Sequence, residues 1–439
     1  MRADRAIVII GASGDLARRK LIPALQALHQ KGKLDHSTRI VGVGRTPFTR
    51  ETFLEQFTLN ETFSRILSYH TGVAGLNAYL SSLGTFERVI FFLAQPPEAY
   101  VATARALKAE GFGSEISLII EKPFGYDLAS ARDLNRDLAS AFSEAQIFRI
   151  DHYLAKEAVQ NILVFRFANA LFYPVWNSRY IESIQINAVE DIGILERGAY
   201  FDKAGIIRDM VQNHLLQLLS LLTMEAPSSL DPQDICLQKI SLLRAVSVDS
   251  CNRYQYSGYR AEKNVAPESN TETFAELKLA INNFRWAGTP VYLRTGKATN
   301  RRGTEIGVRL KPLPHLLYNK LGELAPNRII FKIQPAEGII LDLQSKAPGT
   351  DNDIAGTHMN FCYRDAFAST IPDAYQRLLL DAIRGDRTLF VSSEETETAW
   401  KIIDQVLDKG EIHAYERGTI PVSALNADWI DFEKYASMC

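Results

Sequence analysis

An α/β Rossmann domain followed by a larger α+β domain is the fold this sequence predicts, and three observations predict it. The first 150 residues carry short, continuous apolar runs separated by helical patterns. Beyond about residue 180, apolar and polar residues alternate instead. The chain's 439 residues also exceed one ordinary domain, with a prior of about two to three.

The strand-like runs of the first region are Ala6–Ile10, Ile40–Val43, Val89–Leu93, Ile116–Ile120 and Gln146–Ile150. Runs that are continuously rather than alternately apolar imply burial on both faces, as in a parallel sheet. Between the last two, Leu128, Ala131, Leu134 and Leu138 share one helix face that Asp127 can cap. Strands alternating with helices predict a doubly wound parallel sheet over residues 1–150. Residues 151–439 read as the second domain. There Ile184, Ile186 and Ala188 alternate with Gln185 and Asn187, and Ala275, Leu277, Leu279 and Ile281 follow the same rhythm. Arg328–Gln334 and Gly338–Leu343 are further strand candidates. Period-two alternation predicts a large, mainly antiparallel sheet with one covered face. Helices over Ile206–Leu222 and Ala374–Ile383 should flank it, and Arg260–Glu272 reads as a long loop.

Hydrophobic residues make up 46% and charged residues 23%, which supports an ample core. A formal net charge of −2 speaks against nucleic-acid or membrane partners, so an anionic ligand needs a local basic pocket. The cysteines, Cys236, Cys251, Cys362 and Cys439, form no C-x-x-C pair. That spacing argues against a zinc site and a disulfide framework and fits a reducing, cytoplasmic setting. No metal-ligand cluster is seen. The first apolar run is too short for a signal peptide, and none approaches the roughly 18 residues of a membrane helix.

Open parallel sheets bind ligands beyond the carboxyl ends of their strands, so the residues that follow each strand matter most. After the first comes G-A-S-G-D-L-A, Gly11–Ala17. Its small residues Gly11, Ala12, Ser13 and Gly14, leading into Asp15 and Leu16, let the backbone approach a pyrophosphate. The run departs from G-x-G-x-x-G, and an ordinary tight turn fits it about as well. Pro23 limits any regular helix from Asp15 unless that helix kinks. After the second strand, Arg45 stands where an NAD enzyme carries an acid, and Arg can take the 2′-phosphate of NADP. A solvated loop charge is the competing reading. Later strand ends carry A-Q-P-P, E-K-P-F-G with Lys122, and D-H-Y-L-A-K-E from Asp151. Several such motifs at one predicted ligand edge outweigh the bland reading of each. His214 lies in I-I-R-D-M-V-Q-N-H-L-L-Q, where Asp209, Gln212, Asn213 and Gln217 are too many polar groups for a plain core helix. In an α-helix, Asp209 and His214, five positions apart, should point in different directions. Lys297 follows the strand-like V-Y-L-R-T-G and is a better anion-binding candidate than the charge run at Arg301–Arg302.

These motifs, with T-E-T-F, R-W-A-G-T-P-V-Y-L-R-T-G-K and Q-R-L-L-L-D, resemble the glucose-6-phosphate dehydrogenase family over nearly the whole chain. The resemblance implies oxidation of glucose 6-phosphate at C1 to the lactone, with hydride passing to NADP. It implies His214 as general base and Asp151 as the carboxylate orienting it. His152, Tyr153 and Lys156 match the substrate-phosphate site, and Glu190 and Asp209 match carboxylates that hold sugar hydroxyls. Lys297 matches a substrate-binding lysine with Arg302 beside it. Lys20 and Lys122 match lysines of the cofactor–substrate crevice, and Gln334 in K-I-Q-P matches its edge. The family's second domain implies a homodimer through its sheet.

The chain departs from the family pattern at Ala155, where Gly is usual, and at Ala199–Asp202. Phe57–Leu83 and the loop after Asp231 read as shortened. Rival readings are a paralogue for another hexose or aminosugar 6-phosphate, a glucose–fructose-oxidoreductase-like enzyme, and a non-catalytic sugar-phosphate or NADP sensor. A sensor would have lost its base, and an enzyme for unphosphorylated sugars would have no use for D-H-Y-L-A-K-E.

Overall fold

In the computed structural model, the described residues are 5–35, 37–313, 324–350, 353–367, 373–425 and 427–439. The chain divides into two compact units. Unit 1 comprises 1–155, 227–237 and 372–397; unit 2 comprises 156–226, 238–371 and 398–439.

Unit 1 is built on β1 (Arg5–Ile10), β2 (Arg39–Gly44), β3 (Leu67–Thr71), β4 (Arg88–Leu93), β5 (Ile116–Ile120) and β6 (Ile147–Ile150). They lie in the order β3-β2-β1-β4-β5-β6, all parallel, with the two-residue strand Phe390–Val391 antiparallel on β6. This is the Rossmann order, which reverses at β1 and leaves a crevice outside the strand ends there. The runs are buried throughout in β4 and β5 apart from Arg88, as continuous apolar strands require. The helix Leu128–Ala139 begins where Asp127 accepts a hydrogen bond from Ser130 N at 2.7 Å. Pro23 is accommodated by a π-helical turn, Ala17–Leu21, just before the helix Ile22–Gln30. Ile22 N donates to Ala17 O, an i→i−5 bond, so the winding widens just before the proline.

The expectation that Ala374–Ile383 flanks the second sheet is not met. The helix Ala374–Arg384 belongs to unit 1, where Lys31 donates to Gln376 at 2.9 Å and Lys20 pairs with Asp373 at 3.4 Å. An amphipathic helix buries its stripe on whichever apolar face the chain reaches, and sequence order does not fix that partner.

Unit 2 holds β7 (Ile181–Val189), β8 (Val246–Tyr256), β9 (Phe274–Ile281), β10 (Val291–Gly296), β11 (Gly303–Leu310), β12 (Arg328–Gln334), β13 (Gly338–Lys346) and β14 (Ile354–Cys362). Among the described residues they form one sheet, β14-β13-β12-β11-β7-β10-β9-β8, extended by the strand Ile412–Tyr415. Only β7 with β10 and β8 with the last strand run parallel. The expected single covered face holds only in part. Gln185 and Asn187, the polar alternates of β7, are themselves buried. Gln185 donates to Asp428 O and accepts from Ile430 N, both at 2.7 Å. The segment around Ile430, Phe432 and Tyr435 packs with Ile330 and Ile340 over that second face. Polar alternation there marks paired, buried groups rather than solvent.

The reading of the cysteines is also corrected. Cys362 and Cys439 form a disulfide, while Cys236 and Cys251 are in none. A separation of 77 residues hid the pair from a spacing argument. Among the described residues no helix is long and apolar enough to cross a membrane.

Candidate active site

In unit 1 the candidate residues gather at the carboxyl ends of the strands. Gly11 leaves β1 at φ +91°, and a Cβ there would lie 2.3 Å from Ala94 O. Only glycine fits that close approach. Gly11 N and Ala12 N donate to Val43 O, and Gly14 N donates back to Gly11 O at 2.9 Å, so the turn that includes Ser13 is folded tightly on itself. Asp15 is exposed and ion-pairs with Arg19, with Leu16 leading into the π-helical turn. Arg45 follows β2 and is exposed, with Gly44 and Thr46 around it and no acid at that strand end. A tight glycine turn plus an exposed guanidinium fits a dinucleotide carrying a 2′-phosphate. Lys20 lies in the π-helical turn on Asp373.

After β5, Glu121 is followed by Lys122, which is half-buried and joined to Pro123 by a cis bond. Part of Glu121's surface is exposed, but its Oε1 is buried. Burial pushes its carboxyl up to about 7, against the lowering pull of a Tyr375 hydrogen bond and of Lys122. After β6, Asp151 is 3% exposed and its Oδ1 accepts from Tyr153 N at 2.9 Å. Tyr153 is buried and His152 half-buried, their rings edge to face. Ala155 is buried as well, so its extra methyl has a filled environment.

In unit 2 the register does the gathering. Val189 at the end of β7 is paired with Gly296 at the end of β10 and with Gly303 at the start of β11. Thr304 is paired with Gln334 at the end of β12. Glu190, Lys297, Arg302 and Gln334 therefore all leave the same end of the sheet. Glu190 Oε2 and Lys297 Nζ are 2.5 Å apart, with the lysine 5.5 Å from the centre of the Phe201 ring. Tyr415 donates to Lys297 O at 2.5 Å and fixes its backbone. Gln334 donates to Thr304 Oγ1 at 3.1 Å, and Arg302 is exposed. Lys156 precedes the helix Glu157–Phe167. Glu337, between β12 and β13, accepts from Ala158 N at 2.9 Å, which holds that helix start at the same sheet end.

Asp209 and His214 share a π-helical stretch, Ile207–Leu215, that continues as the helix Leu216–Thr223. This overturns the expectation that they point apart. Five positions turn an α-helix about 140° past a full turn. The i→i+5 bonding of a π-helix spreads five positions over close to one turn, so the two residues lie on nearly one face. Both are buried, at 4% and 1% exposure. Tyr200 donates to Asp209 Oδ1 at 3.3 Å, and burial beside that carboxylate pushes the phenol well above its usual range. The far end of the helix is anchored by Trp176 on Leu222 O, Trp286 on Thr223 O, and Arg166 on Leu221 O and Met224 O. These donors satisfy carbonyls that a helix end leaves open. Tyr200, Phe201 and Tyr415 were not singled out in the sequence. Tyr200 and Phe201 lie within Ala199–Asp202, which reads there only as a departure from pattern, and Tyr415 has no local signal.

Comparison with known proteins agrees along the chain. Residues 8–161 match the family model described as glucose-6-phosphate dehydrogenase, NAD binding domain, and 163–429 match the one for its C-terminal domain. The glucose-6-phosphate 1-dehydrogenase of Bacillus subtilis (strain 168) is 39% identical over 441 residues, covering 91% of this chain and 90% of the relative. A solved structure of glucose-6-phosphate dehydrogenase in complex with its substrate glucose-6-phosphate is 33% identical, covers 96% of both chains and superposes with a TM-score of 0.90. The glucose-6-phosphate 1-dehydrogenase from Mycobacterium avium gives 34%, 95% of both chains and 0.87. The chain thus belongs to the glucose-6-phosphate dehydrogenase family, NADP-dependent enzymes that oxidise glucose 6-phosphate.

Proposed function

We propose that oxidation of glucose 6-phosphate by this chain runs on His214 as general base, with Asp151 as the carboxylate that fixes its tautomer. The observation that carries the reading is the single sheet end from which Glu190, Lys297, Arg302 and Gln334 emerge, with Lys156 tied to it through Glu337. Oxidation of a sugar at C1 needs a proton acceptor at the hydroxyl and a path for the hydride. His214 takes the hydroxyl proton as the C1–H bond gives up its electron pair. An imidazole suits that task near neutral pH. A buried carboxylate stabilises the imidazolium that forms. When bound, NADP supplies the hydride acceptor. The turn Gly11–Leu16 would hold its pyrophosphate, Arg45 its 2′-phosphate, and Lys122 would line the crevice with Lys20.

His152, Tyr153 and Lys156 are proposed to bind the sugar phosphate, since a dianion needs several charge-assisted donors. Glu190 and Asp209 are proposed to accept from sugar hydroxyls, with Lys297 and Arg302 alongside and Gln334 at the edge. The Lys297 ammonium on Glu190 Oε2 orients that carboxylate in advance of substrate. Lys156→Ala should raise KM for glucose 6-phosphate at least tenfold and narrow its advantage over free glucose. An unchanged preference for the phosphorylated sugar would put the phosphate site elsewhere.

A homodimer through the unit 2 sheet is supported by its edge strand β14, where Met359 is 64% exposed. Beside it lies a groove of about 390 Å³ lined by Phe165, Phe172, Ile339, Leu341 and Phe361. Sedimentation at twice the chain mass is the expected result. A cytoplasmic home is proposed on the phosphorylated substrate alone.

A further inference from the structure

The end of the π-helical stretch nearest Asp209 has an unusual support. The chain breaks at Gly205, φ +69° and ψ 169°, just before the stretch begins. Into that break projects the side chain of Glu272, which is 2% exposed. Its backbone oxygen accepts from Ile206 N at 3.0 Å, and its Oε1 accepts from Ile207 N at 3.1 Å. Both donors are among those a helix start leaves open. A Cβ on Gly205 would lie 2.3 Å from Glu272 Oε1, so glycine and carboxylate are fitted to each other. The other oxygen faces Arg253 Nε at 3.7 Å, and Arg253 is itself buried and held by Lys409 O and Asn270 O. The next residue serves the second half of the site. Thr273 O accepts from Lys297 N at 2.9 Å, and its Oγ1 contacts the Tyr415 hydroxyl that also holds Lys297 O.

We infer that Glu272 is a positioning residue for the base. It pins the start of the stretch carrying Asp209 and His214, while adjoining Thr273 sets Lys297, so one dipeptide fixes the spacing between base and substrate-binding ammonium. The inference rests on the proposed role of His214. A buried ion pair alone is weak evidence of function, because its attraction largely offsets the desolvation of both charges. What distinguishes Glu272 is that its oxygens grip the helix start rather than only a cation. Small displacements of catalytic groups cost much more in turnover than in binding, about 100-fold for 1 Å.

The test compares Glu272→Ala, Glu272→Gln and His214→Asn in the purified enzyme, reading kcat, KM for glucose 6-phosphate and Kd for NADP. Gln keeps an oxygen for Ile207 N without the charge. Glu272→Ala should lose 10- to 100-fold in kcat with NADP affinity within twofold of wild type, and Glu272→Gln should recover at least a third of wild-type kcat. Wild-type kcat in Glu272→Ala overturns the inference, as does equal loss in the Ala and Gln variants, which would assign the effect to the charge pair. If Glu272→Ala yields no folded protein, Glu272→Asp withdraws the carboxylate by one methylene and should show the same kcat loss; wild-type kcat there overturns it. Failure of the underlying reading is separate, because it shows as full turnover in His214→Asn.

Discussion

Replacing Glu121 by Gln should stabilise the protein, and more so as the pH rises. In the folded chain burial pushes this carboxyl up to about 7, from an ordinary value of 4.5. A raised acid favours folding fully below 4.5, and that contribution disappears as the pH climbs through 7. From these two values, the raised carboxyl lowers stability by about 1 kcal/mol at pH 5, where the unfolded chain ionises and the folded one does not, and by about 3 kcal/mol at pH 8. Tyr375, which donates to the carboxyl, can donate equally to the amide oxygen of Gln, so packing and that hydrogen bond survive. Lys122 partly offsets the cost in the wild type and Asp151 adds to it. Urea unfolding of both proteins at pH 5 and pH 8 measures the difference. Glu121→Gln should gain about 2 kcal/mol on wild type between those two conditions. An equal difference at both pH values would mean that Glu121 ionises as freely folded as unfolded, and would refute the reasoning.

Arg45→Ala should weaken NADP binding by the worth of one charge-assisted contact, about 1.5–3 kcal/mol, and leave NAD nearly unchanged; equal KM for NADP before and after would remove its role. Reducing Cys362–Cys439 opens a link across 77 residues, whose loop entropy sets a ceiling of about 4.5 kcal/mol. A dithiol reductant should therefore lower the melting temperature of the wild type and leave Cys362→Ser unaffected; a wild-type melt that ignores the reductant contradicts this.

The parallel sheet was legible because strands buried on both faces are written as mostly apolar runs, and five such runs, broken only at Ser117, Gln146 and Arg149, fall within a residue or two of the observed strands. β3, L-S-Y-H-T, is short and lies on the sheet's edge, and such strands carry little pattern. β14 is an edge exposed along most of its length, so no alternation is imposed on its sequence. The substrate-side residues were found by motif, but their convergence was not. It follows from register between strands far apart in sequence, which only pairing sets. The π-helical winding at Asp209 and His214 was equally hidden, since hydrogen-bond registers of four and five draw on the same residues. The disulfide and the cover over Gln185 both depend on the last residues folding back onto the sheet, a long-range event without a local signal. T-E-T-F is legible as a string, yet the roles of Glu272 and Thr273 depend on their long-range contacts with the segment after Gly205 and with Lys297.

The account turns on His214 as the proton acceptor. Absorbance of the reduced nicotinamide band, with glucose 6-phosphate and NADP, measures this directly in wild type and His214→Asn. The expected result is robust turnover in the wild type and a loss of at least about 100-fold in the variant, the low end for a missing general base, with NADP affinity retained. Near-wild-type turnover in folded His214→Asn would contradict it.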